Sequence, residues 1–233
     1  MSDVKPGAPD AEAAEENDQD CRRWRRRAEA RPGEILDAAM EMFVEKGFAA
    51  TRMEEIAQRA GVTKGTVYLY YQSKEALFRA VVQDNILPSL EESERHVAEW
   101  TGSSADLLGE MVRRWWAVVG RSRLGCVPKL MTSEAANFPE LATYYMEEVV
   151  YRGRRVFESV LRRGIEGGEF RPDLDVRTAV RVIQSPLLNA AIHMQSLQRF
   201  DQEALDIDVF FDVAIDIILR GIAVNGQKDG SDA

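Results

Sequence analysis

The sequence predicts an all-α protein of about nine helices, a short N-terminal three-helix unit with a linking helix followed by a larger helical domain. Two observations carry that prediction. From Glu34 onward apolar residues recur at three- and four-residue spacing, while strand-like alternation is scarce. Ser, Thr and Asp ahead of the apolar runs, and Gly behind them, divide the pattern into helix-sized segments. A chain of 233 residues, 45% hydrophobic and 30% charged, has room for one large domain or for a small and a medium one.

Residues 1–20 are rich in Ala, Glu and Asp and hold almost nothing large and apolar, so a disordered acidic tail is expected. A basic run follows, Arg22, Arg23, Arg25, Arg26 and Arg27 around Trp24. The tail is expected to extend to residue 30, with a second disordered tail over 226–233. The first helix carries Ile35, Leu36, Ala39, Met40, Phe43 and Val44 and stops at Gly47. Thr51 and Glu54 have capping-box spacing and open a short helix through Ile56, Ala57 and Ala60, which Gly61 ends. Thr63 caps a second short helix reaching about Tyr70, and Ser73 a longer one through Leu77, Phe78, Val81 and Val82, broken near Pro88.

Beyond residue 100 an amphipathic segment runs from Leu107 to Val119, and a breaker-rich stretch from Gly120 to Pro128 separates it from a short helix. Asn137-Phe138-Pro139-Glu140 starts a long helix that runs to Gly167-Gly168, with Pro139 tolerated in its first turn. Asp175 caps the next helix, which Pro186 should kink. The last runs from about Asp206 to Gly221 with Val209, Phe210, Val213, Ile217 and Ile218.

Charge narrows the function. The net −9 divides unevenly: Lys5 against seven acids in residues 1–20, twelve bases against eight acids in 21–83, and seventeen against twenty-four thereafter. Positive potential is therefore local to residues 21–83, as a phosphate-facing surface requires. Cys21 and Cys126 make no disulfide or metal framework. The acidic N-terminus is no secretory signal and no apolar run spans a membrane, so a cytoplasmic setting is expected. The two histidines, His96 and His193, have no Cys or carboxylate at ligand spacing, and HExxH, nucleophile-elbow and phosphate-loop motifs are missing. Neither an enzyme nor a cofactor is expected.

Two short helices joined by a turn at Gly61 match a helix-turn-helix, although spacing alone fits any small helical hairpin. The second helix tips the balance. Thr63, Lys64, Thr66, Tyr68 and Tyr70 point outward, Val67 and Tyr71 inward, and Gly65 near its start sacrifices helix propensity for close approach. Such a helix end suits a major groove.

The stretch TRMEEIAQRAGVTKGTVYLYYQSKEALFRAVV closely resembles the DNA-binding signature of the TetR/AcrR family of regulators. The match spans about Ile35 to Val82, with Thr51, Ile56-Ala57, Ala60-Gly61-Val62, Gly65-Thr66-Val67-Tyr68 and Lys74-Glu75-Ala76-Leu77 in register. The resemblance implies a homodimer on a palindromic double-stranded operator, usually as a repressor. It also implies roles: Thr51 on a phosphate, Thr63, Lys64, Gly65 and Thr66 at base edges, and Tyr68, Tyr70 and Lys74 on phosphates. Tyr71 departs from the family's usual Phe and needs an edge for its hydroxyl. The arginine run is either a DNA-contacting arm or a solvated flank.

On this reading residues 31–82 form the DNA-binding domain and residues 83–225 the ligand-binding and dimerisation domain. Met111, Trp115, Trp116, Phe138, Tyr144 and Tyr145 are candidates for a pocket holding a small apolar or aromatic effector, though aromatic stripes at helical spacing also serve as core. The last two long helices carry more apolar surface than one chain buries, which points to a self-associating interface. The alternative is a DNA-binding protein of the same kind governed by a protein partner, or acting as a scaffold.

Overall fold

The computed structural model describes residues 32–203 and 205–224; both predicted tails and the arginine run lie outside them. The described residues contain no strand, only an isolated bridge between Phe170 and Ala223 that ties a loop to the C-terminal end. Helix α1 occupies 32–46, burying Ile35, Leu36, Ala39 and Phe43 on the stripe its periodicity marks. Then come α2 (Met53–Arg59), α3 (Lys64–Tyr70), α4 (Lys74–Asn85) and α5 (Leu87–Glu99).

The turn between α2 and α3 is a Schellman stop. Gly61 takes φ +66°, and the amides of Gly61 and Val62 donate to Gln58 O and Ala57 O. Such a φ strains any residue with a Cβ, so the turn requires glycine. Thr63 and Ser73 cap α3 and α4 as expected, each accepting from the amide three residues on. The capping position before α2 needs correction: its N-cap is Arg52, and it is Glu55 that reaches back to the Arg52 amide, at 3.2 Å. Between α4 and α5 the rod breaks at Ile86, with Pro88 in the first turn of α5.

The second layer holds α6 (Ser104–Trp115), α7 (Cys126–Glu134), α8 (Pro139–Tyr145), α9 (Arg152–Glu166), α10 (Val176–Ser196) and α11 (Ile207–Ile222). Helix α6 widens into a π turn over Trp116–Gly120, and α8 joins α9 through a π turn over Met146–Tyr151. If α4–α5 and α8–α9 are each taken as one bent rod, the described residues form nine helices. Asp175 caps α10 as expected, Asp206 at the expected start of the last helix caps α11, and Pro186 lies inside α10. The Gly120–Pro128 stretch is less broken than expected. A 3₁₀ turn at Arg123–Gly125 leads straight into α7, whose first turn accommodates Pro128.

Two cores result. One joins α1–α4 around the rings of Phe43, Phe48 and Phe78, centroids 5.1–6.1 Å apart, and also takes in Cys126, Val127, Leu130, Met131 and Leu141. The other gathers α6, α9, α10 and α11 around Leu107, Phe157, Leu161, Ile183 and Phe211. The N-terminal unit is therefore seated on α7 and α8.

Candidate nucleic-acid interface and adjoining cavity

The candidate reading face is built on α3. Buried Val67 fixes the rotation of the helix, which leaves Thr63, Lys64, Gly65, Tyr68 and Tyr70 exposed and Thr66 half-exposed. Thr63 Oγ1 lies 2.9 Å from Thr66 Oγ1, so the two hydroxyls form one polar pair at the N-terminus of the helix. Lys64 is ion-paired with Glu54 of α2, which holds its ammonium above the usual range. A Cβ on Gly65 would meet nothing closer than Thr63 Oγ1 at 3.8 Å. Internal packing therefore does not demand that glycine, whereas close approach by an outside surface would. Tyr71 is half-buried at the edge of the first core, and burial raises its hydroxyl pKa.

Two of the expected phosphate contacts need correction. Thr51 is only 2% exposed, and its hydroxyl lies within donating distance of the carbonyls of Gly47 (2.7 Å) and Met42 (3.1 Å), which ties the α1–α2 loop to α1. The Lys74 ammonium donates to the carbonyls of Phe48, Ala49 (3.0 Å) and Thr51 (3.1 Å), with the Phe48 ring 4.6 Å from it. Burial pulls it below the ordinary lysine range. All three ammonium donors have internal acceptors, so Lys74 acts as a strut between the loop and α4. Leu69, which the sequence pattern did not single out, is 79% exposed between Tyr68 and Tyr70. An apolar side chain on the outer face of a polar helix is the signal that marks it.

A cavity of about 290 Å³ opens among α5, α6, α9 and α10. Three of the six pocket candidates, Met111, Trp115 and Tyr145, line it beside Ile86, Leu90, Val118, Leu124, Phe157 and Leu188. The other three are displaced by better packing partners. Trp116 turns into the second core against Phe211, at 4.9 Å; Phe138 stacks edge-on to Phe48 at 4.7 Å; Tyr144 lies under Arg79, at 4.5 Å. The cavity also meets Arg114, Arg154 and Arg181, which an apolar pattern does not mark. Both histidines gain a carboxylate on folding: His96 Nε2 lies 2.8 Å from Glu110 and His193 Nε2 3.0 Å from Asp201. Among the described residues no group of His, Cys, Asp and Glu is placed to hold a metal. No helix among them is long and apolar enough to cross a membrane.

Comparisons agree with this architecture. Residues 35–81 match the family model of bacterial regulatory proteins of the tetR family, and residues 99–207 that of a tetracyclin repressor-like C-terminal domain. The HTH-type transcriptional repressor KstR2 of Mycobacterium tuberculosis is 30% identical over 66% of this chain and 76% of its own length. The fatty acid metabolism regulator protein of Bacillus subtilis is 28% identical, over 64% and 76%. Among solved structures, the triclosan complex of SmeT, the Stenotrophomonas maltophilia multidrug efflux pump repressor, is 26% identical with a TM-score of 0.68. That similarity covers 84% of this chain and 93% of the SmeT chain.

Proposed function

This chain belongs to the TetR family of bacterial regulatory proteins and is a transcription regulator; from that premise we propose that it is a repressor that binds a palindromic operator as a homodimer and is released by a small effector with an apolar body. The observation that carries the reading is the position of the cavity. Ile86 at the α4–α5 break lines it, as do Leu124 and Pro128 at the start of α7, and all three belong to elements packed against the core of the reading unit. A ligand in the cavity therefore pushes on the structures that hold α1 and α4. Two relatives support the two halves of the proposal: KstR2 is a repressor, and SmeT is found in complex with triclosan.

Base reading falls to α3, with Lys64 on a guanine edge and Thr66 against a thymine methyl, and phosphate contacts to Tyr68 and Tyr70. Dimerisation falls to α10 and α11. Val209, Val213 and Ile217 form one exposed stripe at four-residue spacing on α11, and Val182 stands exposed on α10.

The effector acts only through its preference for one dimer shape, and a tenfold loss of operator affinity needs about 1.4 kcal/mol of that preference. Half-sites on one DNA face lie roughly 34–36 Å apart, so a small splay of the two heads spoils simultaneous docking. The test is fluorescence anisotropy on the operator lying upstream of the gene, with compounds first selected by quenching of the protein's tryptophans. Compounds that bind the cavity and weaken the operator complex at least tenfold are expected. Cavity binders that never change operator affinity would remove the effector and favour control by a protein partner.

A further inference from the structure

The walls of the cavity carry a one-sided charge. Arg114, Arg154 and Arg181 line it and no carboxylate does, in a chain with 39 acids against 30 bases. Arg114 is ion-paired with Glu92 at 2.5 Å, whereas Arg154 and Arg181 have no ion pair among the described residues. The Nε–H groups of both Arg154 and Arg114 are buried without a hydrogen-bond acceptor. A guanidinium stays charged in any protein and carries five donors in a planar fork, so a buried Nε–H without an acceptor leaves the side chain able to take an anionic partner. The Arg154 guanidinium lies over the ring of Tyr151, 5.8 Å from its centroid.

We propose that the cavity selects an organic anion, a molecule with a single carboxylate on an apolar body, and that Arg154 and Arg181 hold the carboxylate. The proposal rests on the effector reading of the cavity and names the class of molecule that enters it. Arg181 is exposed and so stands at the mouth, while Arg154 is half-buried on the facing helix α9. Deeper contacts come from Met111, Trp115 and Phe157, which offer an apolar sleeve. A volume of about 290 Å³ falls just short of the ~300–1,000 Å³ range of small-molecule sites, which suits a ligand of modest size. A carboxylate in this place accepts charge-assisted, bidentate hydrogen bonds from guanidinium groups and neutralises unpaired charge on the wall. A cation of the same shape would face two unpaired arginines. A neutral analogue would leave the arginine donors unsatisfied.

Three probes with the same ten-carbon chain separate these cases: decanoate, decanol and decyltrimethylammonium, titrated below their micellar concentrations into the full-length protein by calorimetry. Decanoate is expected to bind at least tenfold tighter than either of the others. Arg154→Gln and Arg181→Gln should each weaken decanoate about tenfold and leave decanol unchanged, while Arg154→Lys, which keeps the charge, recovers part of the loss. Circular dichroism melts show whether each variant is folded. Equal affinity for all three probes, preference for the ammonium, no binding of any probe, or full decanoate affinity in both glutamine variants would each overturn the proposal. An operator assay on the same samples separates the two readings. If decanoate binds through the arginines but leaves operator affinity intact, the ligand class stands and the effector reading falls.

Discussion

Lys64, the proposed base reader, is already engaged within the fold. Its ion pair with Glu54 is exposed, so the pair contributes little to stability and must open before the ammonium reaches a base edge. Glu54→Gln should therefore tighten operator binding, most at low salt, because it frees Lys64 and removes a negative charge from near the phosphates. Lys64→Ala or Thr66→Ala should relax specificity at one base position per half-site, by roughly 1–3 kcal/mol for a bidentate contact and less for a single bond. Binding measured against a library of operator variants checks both; an unaltered profile for both alanine variants would remove α3 as the reader. Cys126 is the opposite kind of residue. Burial pushes its thiol up to about 11, and it packs on Met40 with the sulfurs 3.7 Å apart. At pH 8 about one molecule in a thousand then carries the thiolate, so alkylation of the native protein at Cys126 should be slow and should speed up only on unfolding.

At the scale of elements, the N-terminus of α6 is held by a residue 65 positions away. Glu169 accepts from the amides of Ser104, at 2.8 Å, and Ala105, at 3.1 Å, on orphan donors where the helix dipole also favours an anion. Partial burial pushes the Glu169 carboxyl up, but these donors outweigh it and its pKa lies below the ordinary value. A carboxylate with a depressed folded pKa stabilises the fold above its unfolded pKa, and the benefit disappears as pH falls through the folded value. Glu169→Gln should accordingly cost about 1 kcal/mol at pH 7, and the difference from wild type should shrink below about pH 4. Urea titrations at several pH values measure it. For α11, the exposed Val209–Val213–Ile217 stripe predicts that Val213→Glu or Ile217→Glu yields folded monomers with weakened operator binding, because the half-sites lose their linkage. Sedimentation showing an unchanged dimer in both variants would place the interface elsewhere.

For the whole molecule, charge and packing divide the work. The positive balance of residues 21–83 comes from the arginine run, since residues 31–82 carry seven bases against seven acids, and the acidic remainder disfavours contact of the rest of the chain with DNA. Deleting residues 1–20, which hold Lys5 against seven acids, should modestly strengthen DNA binding. Deleting 1–27 removes five arginines as well, and should flatten the slope of log affinity against log salt by about 0.9 for each phosphate that the arginines neutralise. Identical slopes for the two truncations would make the arginines a solvated flank. Packing offers a route for the proposed coupling. Arg123, one residue from the cavity wall at Leu124, pairs with Glu41 of α1, which Arg59 of α2 also holds at 2.9 Å. Beneath this surface link, Val127, Leu130 and Met131 of α7 share a core with α1.

The helical class, most helix starts and the second helix of the helix-turn-helix were legible in the sequence because each depends on local chemistry. Side-chain caps at Thr63, Ser73, Asp175 and Asp206, a glycine turn at Gly61 and an apolar period of about 3.6 act within a few residues. Three-dimensional packing decided the rest. Whether Trp115 or its neighbour Trp116 faced the cavity depended on where Phe211 arrived, almost a hundred positions later. Lys74 became a strut because the α1–α2 loop brought three carbonyls to it, and a lysine in water carries no trace of that choice. The arginines of the cavity lie on α6, α9 and α10, and only the folded chain sets them along one space from which carboxylates are excluded. Short-range hydrogen bonds and periodicity determine elements, whereas the burial and pairing of charge depend on partners distant in sequence, and those exist only once the chain has folded.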